Sequence, residues 1–452
     1  MRVIVATGLN DGDAEYKNMG DVAMLQVAVA RLLELWPASR IEVLTDSPAG
    51  LSRYCPGATP LPRIGCRSWV EDRIVLGRLH EFLPEAISAV LSNLKRLVRL
   101  RWPSLLRLVL EQRWNLRDSG GRRRALQLFL ESLRAADLFV VCGAGGFADS
   151  CRAWNLFILN AMETALRHGI PVAMFGQGMG PLNDTRVLAR ARTVLPQVTL
   201  ITLRGGRGGA TLLDALGVSR ARVLTTGDEA TELAYTAASA PGTHIGINLR
   251  VAAYSPVTKD AVAMVGRILR EFAQRQGISL LPVPIAFHDC ANDREAIRQL
   301  LSESKEAYDA GNSLDNPAKL IEQVAHCRVL VTGAYHAAVF ALGQGIPVVC
   351  LASSAYYLAK FQGLEDLYGM GCMTVLLDQP DAAENLEYAL ERTWEKAESF
   401  RKPLLRAAER QVKQSREAYQ KIRELLDPPA TRRQEEASMC TELEMTTRGI
   451  LQ

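Results

Sequence analysis

The sequence predicts an α/β protein of two doubly wound, Rossmann-like domains facing a cleft. Three observations lead there. Short β-branched runs alternate with stretches of helical apolar period in both halves of the chain. Several of the runs end in glycine-rich loops. At 452 residues the chain is also too long for one ordinary core.

The elements follow in order. Val3–Thr7 reads as the first strand. Asp21–Leu35 places Val22, Leu25, Val29, Leu32 and Leu33 at helical spacing, and Ile41–Thr45 is again strand-like. This opening predicts a right-handed βαβ unit and a parallel sheet. Residues 70–125 break the rhythm. Lys95, Arg96, Arg99, Arg101, Arg107, Arg113, Arg117 and Arg122–Arg124 mix there with Leu, Val and Trp, which predicts one or two inserted helices with basic faces. Leu138–Cys142 is then a buried strand, Asn155–Arg167 a helix and Pro171–Phe175 a strand. Thr199–Leu203, the helix Ala210–Leu216 and the short strand Arg222–Thr225 complete an N-terminal domain of residues 1–236.

Ala237–Thr243, with Pro241 and Gly242, reads as the linker. A second α/β set over 244–400 begins with the strand His244–Leu249. It continues with the helix Val262–Gln274, the strand Ser279–Ile285 and the helix Pro317–Ala325. The strand Val329–Thr332, the helix His336–Leu342 and the strand Pro347–Leu351 follow. Asn385 to about Leu426 is helical and highly charged, and the end of 401–452 carries the composition of a disordered tail.

Composition excludes several function classes. A net charge of +4 calls for no nucleic-acid partner. Nine cysteines without C-x-x-C spacing argue against a disulfide framework or a zinc site, and Cys142, Cys327 and Cys350 sit in apolar runs as inert core thiols. Nothing resembles a signal peptide or a membrane span, so the expected location is cytoplasmic.

In open α/β sheets ligands sit beyond the carboxyl ends of the strands. The candidate residues are those that the strand-end loops present. Gly145-Gly146, Gly176–Gly180 and Gly205–Gly209 each suit a tight βα turn, and three together after strands favour a phosphate-like ligand. Asn18 and Asp21 lie between the first strand and helix, with Asp21 a good N-cap or a ligand contact. Arg204 and Arg207 at one strand end, and Arg250 at another, offer planar donor forks to carboxylate or phosphate. His336, in Gly333-Ala334-Tyr335-His336, opens a helix at the cleft and suits acid or base work; a helix-start histidine bonded to backbone is the alternative. His288 lies near Asp289 and Asp293, but the spacing fits no standard metal set. His80, His168, His244 and His326 read as structural.

Together these pieces resemble the polysaccharide pyruvyl transferase family. The likeness rests on Asn18–Asp21, Gly143–Gly146, Phe175–Pro181, Leu203-Arg204, Gly217-Val218, Gly227-Asp228 and Gly246–Arg250. It is strongest from Val331 to Gly369, with Tyr335-His336-Ala337, Ala341–Pro347, Lys360 and Gly363-Leu364. It covers roughly residues 1–370, apart from the basic insertion. The resemblance implies the B-type glycosyltransferase architecture and transfer of a pyruvyl group from phosphoenolpyruvate to a sugar of a cell-surface polysaccharide or its lipid-linked precursor. That chemistry asks for a general acid, His336, and for cations around the donor, Arg204, Arg250 and Lys360. Gln177 and Tyr335 are further candidate contacts, and no metal or organic cofactor is demanded. One departure stands out: family members commonly carry Arg two residues before the histidine, where this chain has Ala334.

Two other functions fit the same architecture. One is a glycosyltransferase using a nucleotide-sugar donor, and the other a non-catalytic member of a polysaccharide assembly system. The basic insertion suits peripheral contact with anionic lipid through residues 90–125 at the inner face of the membrane, or else a solvated helical face or dimer contact.

Overall fold

The computed structural model describes residues 1–8, 16–71, 85–115, 120–143, 145–205, 207–288, 291–301 and 310–427. Asp289, His80 and the tail after Asp427 lie outside the described residues.

The first domain is built on one parallel sheet. Its strands are β1 (Arg2–Ala6), β2 (Arg40–Thr45), β3 (Thr59–Pro62), β4 (Leu138–Val141), β5 (Val172–Gln177), β6 (Leu200–Leu203) and β7 (Val223–Thr225), in spatial order β3-β2-β1-β4-β5-β6-β7. The helices are α1 (Met19–Leu35), α2 (Pro48–Tyr54), α3 (Arg63–Val70), α4 (Glu85–Arg101), α5 (Pro103–Asn115), α6 (Gly120–Arg134), α7 (Arg152–Arg167), α8 (Thr185–Val194), α9 (Arg207–Ala215) and α10 (Thr231–Thr236). Strand order reverses between β1 and β4, which places a doubly wound switch point there.

The second domain is also parallel. It contains β8 (His244–Asn248), α11 (Lys259–Gln276), β9 (Leu280–Pro282), the small hairpin β10 (Phe287–His288) and β11 (Ala291–Asn292), and α12 (Asp293–Leu301). Then come α13 (Pro317–Ala325), β12 (Cys327–Thr332), α14 (Tyr335–Gly343), β13 (Val348–Ala352), α15 (Ala355–Tyr368), β14 (Cys372–Leu376) and α16 (Ala382–Leu426). The sheet runs β14-β13-β12-β8-β9, so its switch point falls between β8 and β12.

Helix α14 shows how the halves meet. Its sequence is apolar almost all round, and every residue from Tyr335 to Gly343 is buried. One core is continuous from Val5 and Val22 in the first domain through Ala338 and Phe340 of α14 to Leu404 and Tyr419 of α16. Helix α16 runs 45 residues and returns to the first domain, where Tyr419 stacks on Phe175 with ring centroids 3.9 Å apart. The sequence reads Asn385 onward as helical, but the return contact depends on the position of Tyr419, which no local pattern announces.

The insertion differs from expectation in two ways. It holds three helices, α4 to α6, and α6 extends to Arg134. Its cations do not all form outward basic faces. Lys95 and Arg99 are buried, and Arg96 and Arg99 engage the buried Glu163 of α7, with Arg96 Nε 2.9 Å from Oε2. A buried carboxylate needs such partners, because leaving it unpaired costs several kcal/mol, about 3–5.

Cys142, Cys327 and Cys350 are buried as expected, and burial pushes the Cys327 thiol up to about 12. Among the described residues no helix is long and apolar enough to cross a membrane.

Candidate functional site

Each switch point delivers its loops to one cavity of about 520 Å³ between the domains. From the first domain it takes Asn18, Asp21, Gly145, Gly146 and Arg204; from the second it takes Arg250, His288, Tyr335, His336 and Lys360. Ten of the sequence candidates thus line one cavity. Two do not. Gln177 is buried behind it, where its amide donates to the backbone carbonyls of Val141 (3.1 Å) and Phe175 (2.8 Å). Arg207 opens α9, and its side chain lies outside the described residues.

The start of α1 corrects one expectation. Asn18, not Asp21, is the N-cap: its side chain accepts from the backbone N–H of Gly20 (3.1 Å) and Asp21 (3.4 Å). Asp21 sits in the first turn, where a carboxylate complements the helix dipole. The same loop joins the domains, since Met19 N donates to Ile285 O at 2.9 Å. Gly20 has a packing reason to be glycine. A Cβ there would lie 2.0 Å from the His336 ring.

His336 is buried and held from the opposite domain. Its Nε2 lies 3.5 Å from Asp228 Oδ2 and 3.3 Å from Arg204 Nη1, while that Nη1 donates to Asp228 Oδ2 at 3.0 Å. The bare nitrogen can accept from Arg204; the protonated one faces Asp228. Burial pushes the Asp228 carboxyl up, but His336 and Arg204 outweigh it and hold it below the usual range.

The cations are fixed by different means. Arg204 spreads over the Tyr335 ring, 4.4 Å from its centroid. Arg250 makes a bidentate pair with the fully buried Asp293, at 2.6 and 2.9 Å. Asp293 also accepts from Asn248 and from the backbone of Ile285 and Ala286. Its carboxylate is therefore committed to structure, which removes it from the weak metal set around His288. Lys360 Nζ lies 4.0 Å from the Tyr356 centroid. Loss of hydration and the Arg204 charge push its ammonium down to about 7. Ala334 is fully buried in the core, so that position presents no cation to the cleft.

The structure adds residues that the sequence reading did not select. Arg63, Arg152 and Trp154 line the first-domain side, and Tyr254, Tyr356 and Tyr357 the second. Asp228 lies directly after Gly227 beyond β7, a strand-end position that the sequence does show. Tyr356 and Tyr357 follow the N-cap Ser354 just beyond β13, and were equally visible there. A smaller hollow of about 270 Å³ shares Gly145, Arg204, Tyr335, Tyr356 and Lys360 with the first, and is floored by Gly178, Gly180, Gly205, Gly208 and Gly209.

A profile of the polysaccharide pyruvyl transferase family matches residues 18–355, well over half of the chain. The chain belongs to the polysaccharide pyruvyl transferase family. This family member is therefore a transferase. The matched span begins at the N-cap Asn18 and ends as α15 starts, so it takes in Asp228, Arg250 and His336 and leaves Lys360 and α16 beyond it.

A search of curated proteins finds no match. Among solved structures, the pyruvyl transferase family member is similar to a Listeria monocytogenes protein assigned as a UDP-N-acetylglucosamine 2-epimerase. Identity is 13%, over 95% of this chain and 97% of that one, with a TM-score of 0.55. A glycosyltransferase from Rickettsia africae is 8% identical over 95% and 99% of the two chains, with a TM-score of 0.49. S. aureus MnaA, solved with UDP, is 12% identical over 90% and 94%, also at 0.49. At these identities the likeness concerns fold, the two-domain architecture of B-type glycosyltransferases and related epimerases.

Proposed function

We propose that this protein transfers a pyruvyl group from phosphoenolpyruvate to a sugar of a cell-surface polysaccharide or its precursor. One observation carries the reading. Arg63, Arg152, Arg204, Arg250 and Lys360 converge on a cavity whose single lining carboxylate, among the described residues, is Asp21. Such a field suits a small, highly charged donor. Family membership supplies the reaction class.

In this reading the His336 imidazolium protonates the donor methylene, which becomes a methyl group. Positive charge then develops at the neighbouring carbon, and a sugar hydroxyl attacks it. The hydroxyl proton returns to the imidazole. Departure of phosphate regenerates the electrophile, and a second hydroxyl closes the ketal; its proton leaves with the phosphate. Asp228 steadies the imidazolium during the first step. Arg204 and Arg250 hold the carboxylate and phosphate by their charge and by the N–H groups that Asp228 and Asp293 do not engage. The smaller hollow, which shares Arg204 and Lys360 with the larger, suits the acceptor sugar.

Calorimetry with phosphoenolpyruvate beside UDP- and GDP-sugars tests this. The expected result is saturable phosphoenolpyruvate binding that weakens at least tenfold in Arg204→Ala, about 1.4 kcal/mol. Binding of a nucleotide-sugar without phosphoenolpyruvate would instead assign glycosyl transfer to the same fold.

A further inference from the structure

Helix α4 is amphipathic in the wrong sense for water. Its buried side carries Lys95 and Arg99, which donate to the backbone carbonyls of Glu71 and Val70. Its outer side carries Val90, Leu94 and Leu97, which are 66%, 55% and 55% exposed. Those positions follow the helical period, so they form one stripe. Helix α5 packs on α4 and extends the surface with Trp102, Leu105 and Leu108, each about half exposed. Of the fourteen large apolar side chains exposed among the described residues, nine lie on α4, α5 and α6 or the joint between them. An aqueous surface does not select such a cluster.

We propose that this ridge docks on an anionic lipid bilayer. Charge decides the occupant. Arg101 adjoins Trp102 at the joint of α4 and α5, and Arg122 and Arg124 open α6, all exposed. Among the described side chains of these helices the carboxylates are Glu111, which Arg107 engages at 2.7 Å, and Glu131. Leucines with a tryptophan at their edge and arginines around them match the layers of a bilayer interface, acyl chains below and anionic head groups above. A second copy of the chain would set arginine against arginine.

The docked position also bears on the cleft. Helix α3 begins at Arg63, a cavity residue, and its far end is the segment that Arg99 and Lys95 of α4 hold. The ridge is thus braced onto an element of the site, and docking brings the cavity beside the membrane that carries a lipid-linked acceptor. The docking surface does not depend on the donor assigned above, since its residues lie outside the cavity.

Vesicle flotation of the full chain tests the proposal. The probes are vesicles of phosphatidylcholine alone and of an equal mixture with phosphatidylglycerol. The native chain is expected to float with the mixed vesicles, and to do so at least tenfold less with phosphatidylcholine alone. Leu94→Glu/Leu97→Glu and Arg122→Glu/Arg124→Glu are each expected to reduce flotation at least tenfold with unchanged thermal unfolding and unchanged phosphoenolpyruvate binding. Native chain that stays at the bottom of the gradient with mixed vesicles overturns the proposal, as does flotation that both double variants retain. Light scattering closes the remaining route: a dimer that Leu94→Glu/Leu97→Glu converts to monomer, without flotation, assigns the ridge to a second copy instead.

Discussion

His336 and Asp228 meet across the two domains, with Nε2 3.5 Å from Oδ2. His336 stands in the first turn of α14, and Asp228 follows the last strand of the first sheet. The proposed acid and its partner therefore exist as a pair only while the domains are together. Arg204 completes the triangle, with Nη1 3.0 Å from the same carboxylate oxygen and 3.3 Å from the same ring nitrogen. Asp228→Asn keeps the shape and removes the charge that steadies the imidazolium. The expected loss is roughly 100-fold in kcat, within the range for general acid catalysis. KM for the donor is expected to change little. Steady-state phosphate release measures both; an unaltered kcat would remove Asp228 from the mechanism.

Gly145 packs against two of the cleft cations. A Cβ at this position would lie 2.5 Å from Arg204 Nη2 and 2.6 Å from Lys360 Nζ. Gly145→Ala therefore displaces the cations without entering a core. Phosphoenolpyruvate affinity is expected to fall about tenfold or more, equivalent to about 1.4 kcal/mol. Thermal unfolding should stay within a degree or two of the native chain, because the affected atoms border open space. Calorimetry and a melting curve separate the two; a large drop in Tm with normal affinity would contradict the assignment.

Lys360 is expected to set the alkaline limit of binding of the proposed donor. With its ammonium pushed down to about 7, it is charged below that pH and neutral above. A phosphate monoester takes its second negative charge near pH 6. Affinity is thus expected to rise toward that point and to fall again as pH climbs through about 7. Lys360→Arg keeps a permanent charge and is expected to abolish the alkaline fall. Binding isotherms across the range settle it. An identical alkaline fall in Lys360→Arg would trace the effect to another group.

The fold was legible because its signals are local. Val3–Thr7, Val329–Thr332 and Pro347–Leu351 declare buried strands by composition, and glycine loops mark their ends. The strand-end rule then placed Arg204, Arg250 and His336 in one cleft without any contact being known. The failures share a cause. Gln177 stands at a strand end, but its side chain turns inward to satisfy two carbonyls. Arg96 and Arg99 look like surface charge until Glu163, far along the chain, is brought beneath them. The Tyr419 stack on Phe175 joins residues that no periodicity relates. Partnerships across long sequence separation are not encoded in spacing.

Glu229 offers a prediction on stability, next in the chain to the dyad. Burial pushes its carboxyl up to about 8, the adjoining Asp228 adding to the rise, while the Tyr419 hydroxyl donates to Oε1 at 2.5 Å. The folded protein thus keeps a proton that the unfolded chain releases above an ordinary glutamate value of about 4.3. The stabilisation is fully present below that value and drains as pH rises toward about 8; beyond it both states are ionised and the dependence ends. Glu229→Gln retains an acceptor oxygen for Tyr419 and carries no titrating proton. Its Tm advantage over the native chain is expected to be small near about pH 5 and to widen to several degrees by about pH 9. Equal Tm differences at the two ends would show that Glu229 is ionised throughout.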